Sequence, residues 1–457
     1  LSSTLAPDLR SPVAHDLPRP QIALLACGTG IVLLTLIAVS LHVPGSIWAG
    51  TLPRKDAVVG LMLTSAALYG AAVWIMTTQT MPRSMIVAVL GVAVVLRIIL
   101  LASPPFMSSD VYRYVWDGRV QAHAINPYRY VPADPALVTL RDGAIYENIN
   151  RKEYAHTIYP PAAQLIFAVI GRISQTVLAT KIGLVLLEGA GVFALWRLLV
   201  RAGLPASRLL IYVWNPLAAW AVAGDGHIDG AAIGFIGLAM LAWTARRDGL
   251  VGVLLGGAIL TKFLPIVVAP ALWRRWDWKM PVFCAATIAV LYACYAGVGW
   301  RVFGFLPSYT HEEGLQQGSG FWLIAVLERL SPLPSAVTAV YLLVAASCLG
   351  VLAWTVAFRN GIVSDGAMAS NVTLLAAGTV AAMSPHYPWY YAWLALPSIL
   401  RVWPSVIWLS TAPLLLYSDP WHDEILIPTA VFVPAALLAL RDFTRARPAV
   451  LPAERSI

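Results

Sequence analysis

The 457-residue chain is 59% hydrophobic and only 12% charged, with a mean hydropathy of +0.73, which excludes a soluble multidomain protein. Its formal charge of +8 comes from Lys and Arg in short clusters between apolar runs, a placement that sets membrane orientation and argues against a nucleic-acid partner. Four cysteines, Cys27, Cys284, Cys294 and Cys348, lie inside apolar runs without CxxC spacing, so neither a disulfide framework nor a thiolate metal site is indicated.

In chain order, residues 1–20 read as a polar cytoplasmic tail, 21–441 as one all-α polytopic transmembrane domain, and 442–457 as a second cytoplasmic tail. A helical crossing needs roughly 20 apolar residues, and on that rule about 12 transmembrane helices are expected. They fall near 21–43, 56–78, 85–102, 178–200, 207–223, 229–245, 279–299, 334–357, 366–384, 389–403, 404–418 and 424–440. The first run reads as a retained helix, because it lacks a small-residue cleavage site. Two apolar pieces fit poorly as crossings. Residues 162–172 are too short, and 249–273 is interrupted at Thr261-Lys262-Phe263-Leu264-Pro265, where a charge and a proline break the helix.

Basic residues test the threading, because cytoplasmic loops retain Lys and Arg. With the N-terminus inside, Arg83, Arg197, Arg201, Arg208, Arg246, Arg247, Arg274, Arg275, Lys279 and Arg359 fall on the cytoplasmic side, with Arg54, Lys55 and the charged loop 103–161 as the exceptions. That agreement requires 249–273 to be a re-entrant hairpin turning near Lys262. The same threading puts the long polar loop 103–161, and the clusters at 224–229, 311–314, 384–390 and 418–424, on the opposite face. The dense polar chemistry therefore converges on one extracytoplasmic surface.

Asp110 follows the third helix, where a carboxylate at the membrane surface is placed to take a proton from an attacking sugar hydroxyl; the alternative is a helix N-cap shared among Ser108, Ser109 and Asp110. Arg113 and Asp117 are i,i+4 neighbours on a helix over 111–122 and either face substrate or pair with each other. Arg119 is a further loop cation available to a phosphate. Tyr159, followed by Pro160-Pro161, fixes the end of the loop and is a candidate substrate contact. Asp225, His227 and Asp229 sit at a helix junction, where they orient an acceptor hydroxyl or donor phosphate, cap a turn, or ligate a divalent metal; the metal is not favoured. Lys262 is a candidate for an anionic phosphate, or snorkels to the interface along its stem. His386, held between prolines, is placed to donate to a leaving phosphate, with Tyr387 and Trp389 beside it as substrate contacts.

The order Asp110, then Asn215-Pro216 and Gly226-His227-Ile228-Asp229, then Gly256-Gly257 and Thr261-Lys262, then Ser384-Pro385-His386-Tyr387-Pro388-Trp389-Tyr390 resembles the bacterial polyprenol-phosphate-mannose-dependent mannosyltransferases. These belong to the GT-C class of integral membrane glycosyltransferases, and the likeness covers most of residues 85–400. It implies a polyprenyl-phosphate sugar donor, a lipid or glycan acceptor, an inverting single displacement and no cofactor. It also implies an acidic general base in the first large loop, a position Asp110 holds, with His227 and His386 at polar positions lining the site. The location implied is the bacterial plasma membrane, with the site on its periplasmic or extracellular face and membrane lipids as neighbours. Mannose is carried by the resemblance alone. Two competing readings are a transporter or flippase of a lipid-linked sugar and a lipid-linked glycan polymerase. The transporter calls for internal repetition and a site at mid-depth, and neither is visible in the sequence.

Overall fold

The computed structural model describes residues 19–42, 54–334, 336–359, 363–418 and 425–445, and among these every regular element is helical. The long apolar helices α1 (Arg19–His42), α2 (Arg54–Thr78) and α3 (Met85–Ala102) match the first three expected crossings. The polar loop then builds the short helix α4 (Asp110–Ala122) and returns through α5 (Pro161–Ile173) to the long α6 (Val177–Arg201). Next come α7 (Leu210–Val213), α8 (Pro216–Ala219), a π turn over Trp220–Gly224 and the core helix α9 (Asp229–Thr244). The chain continues as α10 (Asp248–Ile259), α11 (Ala269–Leu272), α12 (Lys279–Ala293), α13 (Leu306–Glu312) and α14 (Trp322–Leu330). It closes with α15 (Ala336–Ala357), α16 (Asp365–Met383), α17 (Pro404–Leu409) and α18 (Leu426–Arg445).

Seven described helices, α1, α2, α3, α6, α15, α16 and α18, are long and apolar enough to cross a membrane; two bent pairs raise the number to at most nine. Among the described residues, the about 12 expected crossings are met by seven to nine helices. The run 207–223 is divided by Pro216, and Pro216–Gly224 meets Asp229–Thr244 at 119°. Residues 388–417 carry Pro388, Pro397, Pro404 and Pro413, whose missing N–H donors leave 3-10 turns and one short α-helix in place of continuous spans. α18 runs to Arg445, past the expected start of the second tail at 442. Residues 1–18 and 446–457 of the two tails, and 419–424 of the last polar cluster, lie outside the described residues.

Small residues set the closest helix approaches, because in lipid no solvent-driven force pulls apolar helices together. α6 and α9 meet where a Cβ on Gly237 would lie 2.9 Å from the Gly191 Cα. α4 sits on α5 through Gly118 and Gly171; a Cβ on Gly118 would come within 2.5 Å of the Phe167 carbonyl oxygen. Buried charge inside the bundle is paired: Arg97 of α3 meets Glu188 of α6 at 2.9 Å, and Tyr212 donates to the same carboxylate at 2.8 Å. Lys181 of α6 donates to the carbonyls of Leu100 and Ser103 at 2.8 and 2.7 Å, capping the end of α3 where the polar loop departs.

Gly118→Val is expected to push α4 off α5 at a cost of about 1–3 kcal/mol, the range for overpacking. A lowered thermal midpoint of the purified protein, larger than that of Gly143→Val at an open loop position, is the outcome to look for.

Candidate functional site

A cavity of about 610 Å³ opens between the polar loop, the break after α10, α13 and the turn after α16. α4 begins at Asp110, and its carboxylate accepts from Asn150 Nδ2 at 3.2 Å rather than capping its own helix. Asp110 is the single carboxylate among the described residues lining the cavity, and Arg113, Arg151 and Lys262 line it as cations. Asp110 Oδ2 lies 3.8 Å from His227 Nδ1, and the His227 ring stacks on Trp389 with centroids 4.0 Å apart. Burial pushes the Asp110 carboxyl above its ordinary range, opposed by the Asn150 hydrogen bond and the charge of Lys262. Burial, and then the neighbouring Arg113 and Arg301, hold the His156 imidazole below its usual range.

The loop that carries Asp110 is tied down from several directions. Asp225 Oδ1 accepts from the backbone N–H groups of Phe106 and Met107, each at 3.0 Å, fixing the approach to α4. Arg113 pairs with Asp117 at 2.8 Å and donates to the Ala155 carbonyl at 3.1 Å. Asp117 also accepts from Thr157 at 2.6 Å and Gln164 at 2.8 Å, so one buried carboxylate joins α4, the returning strand of chain and α5. Tyr159 packs edge-on against Tyr114, with centroids 4.7 Å apart, and its carbonyl accepts from Tyr128 at 2.7 Å. Across the cavity, Arg151 pairs with Glu312 at 2.8 Å, joining the loop to the end of α13.

Of the residues singled out in the sequence, Asp110, Arg113, Tyr159, Lys262, Tyr387 and Trp389 line the cavity. His227 and Asp229 stand directly behind the wall, His227 against Asp110 and Asp229 against Lys262. Lys262 Nζ donates to both Asp229 oxygens at 2.9 and 2.8 Å and lies 3.9 Å from the Tyr390 ring. Asp117 and Asp225 hold backbone and loop instead of facing the cavity. Arg119 is turned away to Asp142 at 2.7 Å, the Leu140 carbonyl at 2.9 Å and Gln175 at 3.0 Å, so the expected phosphate contact is replaced by a scaffold role. His386 also lies outside the cavity lining. Ser384, in the left-handed region at φ 41°, ends α16 and turns the chain so that Tyr387, Trp389 and Tyr390, not His386, reach the wall. Asn150, Arg151, His156 and Tyr309 line the cavity without having been singled out as site residues; the first three had the sequence signal of lying in the 103–161 polar loop, whereas Tyr309 precedes the 311–314 cluster and had none. No group of three or more His, Cys, Asp or Glu side chains able to hold a metal occurs among the described residues.

A family model described as alpha-(1->6)-mannopyranosyltransferase, N-terminal domain, matches residues 21–277, more than half of the chain. The protein belongs to this family. It is a glycosyltransferase of mannosyltransferase type, with several helices fit to cross a membrane. The match begins at residue 21 and so takes in α1 and α2, upstream of the motifs that carried the resemblance; the Ser384–Tyr390 motif lies beyond it. No curated protein and no solved structure matches the chain. Asp110, Arg113, Asn150, Arg151, His227, Asp229 and Lys262 all fall within the family match, whereas α13 and the Tyr387–Tyr390 wall complete the cavity from outside it.

Asn150 donates to Asp110 and favours its charged form, so losing that hydrogen bond favours the protonated carboxyl. In Asn150→Ala, the pH at which Asp110 loses half of its reactivity toward a hydrophobic carbodiimide, which modifies the protonated acid, is expected to move upward relative to the wild type. An unchanged midpoint would show that the hydrogen bond does not tune this group.

Proposed function

We propose that the protein transfers a mannosyl residue from a polyprenyl-phosphate donor to a hydroxyl of a lipid or glycan acceptor, at the extracytoplasmic face of a bacterial plasma membrane. The observation that carries this reading is the lone carboxylate Asp110 facing a cavity whose other charged wall groups are Arg113, Arg151 and Lys262. A lipid phosphate leaving group needs positive charge and hydrogen-bond donors, and the three cations supply them without a nucleotide-bound metal. Lys262 has three protons and gives two to Asp229, which leaves donor capacity for a phosphate oxygen. Phe263, Leu264, Ile266, Val267 and Phe305 give the same cavity an apolar wall suited to a prenyl chain.

In the proposed step the acceptor oxygen forms a bond to the anomeric carbon while that carbon's bond to the phosphate oxygen breaks. The bonding pair leaves with polyprenyl phosphate, and the hydroxyl proton passes to Asp110. Attack from the side opposite the leaving phosphate inverts the anomeric carbon. The raised pKa makes Asp110 a stronger base than an exposed aspartate, and ionisation remains complete well above that pKa. The hairpin reading of 249–273 belongs to the same picture. Arg274 reaches back to Asp248 and to the Trp243 carbonyl, so the two ends of the segment meet while its break presents Lys262 to the cavity. We infer that the segment enters and leaves on one side of the membrane.

Purified Asp110→Asn, assayed with synthetic polyprenyl-phosphate mannose, is expected to lose on the order of 10² to 10⁴ in kcat, the usual contribution of a positioned base, while still binding donor. Retained turnover would move the base to another residue. The wild-type kcat is expected to fall as pH decreases, because protonation removes the base, with a midpoint above the ordinary aspartate range. Arg151→Gln is expected to raise the KM for the donor roughly ten-fold, the size of one charge-assisted hydrogen bond.

A further inference from the structure

The turn Asp225-Gly226-His227 joins the π turn to α9 and lies directly against the start of α4. Gly226 has φ 71°, in the left-handed region, and a Cβ there would lie 2.9 Å from both Val111 Cγ2 and Lys181 Cγ, so a side chain at this position would force the turn away. Two side chains of the turn then reach α4. Asp225 Oδ1 holds the Phe106 and Met107 amides on the approach, and the His227 ring stands beside Asp110, the first residue of the helix.

His227 is only 1% exposed, its backbone N–H donates to the Ala221 carbonyl at 2.9 Å, and its ring stacks on Trp389, which stacks in turn on Tyr387 with centroids 4.7 Å apart. Yet neither ring nitrogen has a hydrogen-bond partner among the described residues. Buried polar atoms are ordinarily paired, because an unpaired one has given up water without compensation. The Asp110 carboxylate stands on the Nδ1 side: 3.8 Å separates Nδ1 from Oδ2, too short for a water between them and about 1 Å too long for a hydrogen bond. Hydrogen bonds of catalytic groups are often long before substrate binds. The other carboxylate oxygen, Oδ1, already accepts from Asn150.

We propose that His227 is a positioning residue for Asp110, donating from Nδ1–H to Oδ2 while Asn150 donates to Oδ1, so that the carboxylate plane is fixed with a lone pair toward the acceptor hydroxyl. The inference rests on the reading of Asp110 as the base. His227 is not among the residues that line the cavity and acts through Asp110. Orientation matters at this scale, since a misplacement of about 1 Å costs on the order of 10²-fold in rate. The other charged or titratable groups facing the pair are Lys262, which acts on both, and Arg151, Tyr114, Tyr159, Tyr387 and Tyr417, which act on Asp110. All of them stay in place in the variants below.

The test separates the ring from its N–H. His227→Phe keeps a ring against Trp389 and has no donor, whereas His227→Asn gives up the ring and places an amide N–H where Nδ1 stood. Modification of Asp110 by a hydrophobic carbodiimide, read on its own peptide by mass spectrometry as pH is varied, needs neither sugar donor nor acceptor. In His227→Phe the midpoint is expected to rise by about one pH unit, the size of one hydrogen bond to the ionised form, and in His227→Asn to stay within about 0.3 unit of the wild type. With polyprenyl-phosphate mannose, kcat should fall by about 10- to 100-fold in His227→Phe, with the donor KM within about two-fold, and recover to within about three-fold of wild type in His227→Asn. A wild-type midpoint in His227→Phe would overturn the contact, and an impaired His227→Asn beside an intact His227→Phe would assign the ring to packing. A raised midpoint with unchanged kcat would overturn the positioning role. If Asp110→Asn keeps its turnover, the base reading fails on its own, and the modification midpoints still decide the contact between Asp110 and His227. Should His227→Phe not fold, His227→Leu, which also lacks a donor, carries the same comparison.

Discussion

The ammonium group of Lys262 rests against both carboxylate oxygens of Asp229 and beneath the ring of Tyr390. Three parts of the chain meet there: the start of α9, the break after α10 and the 388–395 turn. A partly buried charge beside apolar helices is tolerated because it is paired and partly covered by an aromatic face. A second tie holds the break from the other side: Ala163 near the start of α5 donates to the Leu260 carbonyl, two residues before Lys262, at 3.0 Å. The cavity that Asp110 faces is consequently assembled around a break in a helix, stabilised by neighbours that replace the lost backbone partners.

The same logic recurs in the loop. Asp117 is a carboxylate without access to the cavity, yet its bonds to Arg113, Thr157 and Gln164 bring the two ends of the loop together. Asp225 does comparable work on the approach to Asp110 through the Phe106 and Met107 amides. These groups are buried and ionisable, and removing one partner would leave the other exposed to the full desolvation cost. They position Asp110, which itself makes few bonds and keeps its face toward the cavity.

Close packing supplies the rigidity that those polar links need. The Gly118 to Gly171 contact lets α4 lie directly on the backbone of α5, and the Gly191 to Gly237 contact does the same for α6 and α9. A glycine at such a crossing gives up helix propensity for a shorter interaxial distance, a trade that suits a medium in which apolar side chains gain little from leaving lipid. Apart from the Arg97–Glu188 pair inside the bundle, charge at the cavity is carried at helix starts and breaks, with Asp110 opening α4, Asp229 opening α9 and Lys262 in the break after α10.

Composition and run length alone determined that the chain is helical, rich in apolar spans, and interrupted by one long polar loop, because the cost of burying unpaired backbone in lipid leaves few other solutions. The break at Lys262 was legible for the same reason, since a lysine followed by a proline cannot continue an apolar helix. Asp110 was legible as the acid at the end of the third helix, and it does face the cavity. Tertiary structure alone decided which charges face that cavity and which are internal. Arg113, Asp117 and Arg119 lie within seven residues on one helix, yet Arg113 reaches the cavity, Asp117 is enclosed and Arg119 meets Asp142. The same holds for Lys262 and Asp229, 33 residues apart, and for Arg151 and Glu312, 161 apart. Side-chain pairing across such distances depends on where the helices cross, which residue type and spacing along the chain do not encode locally.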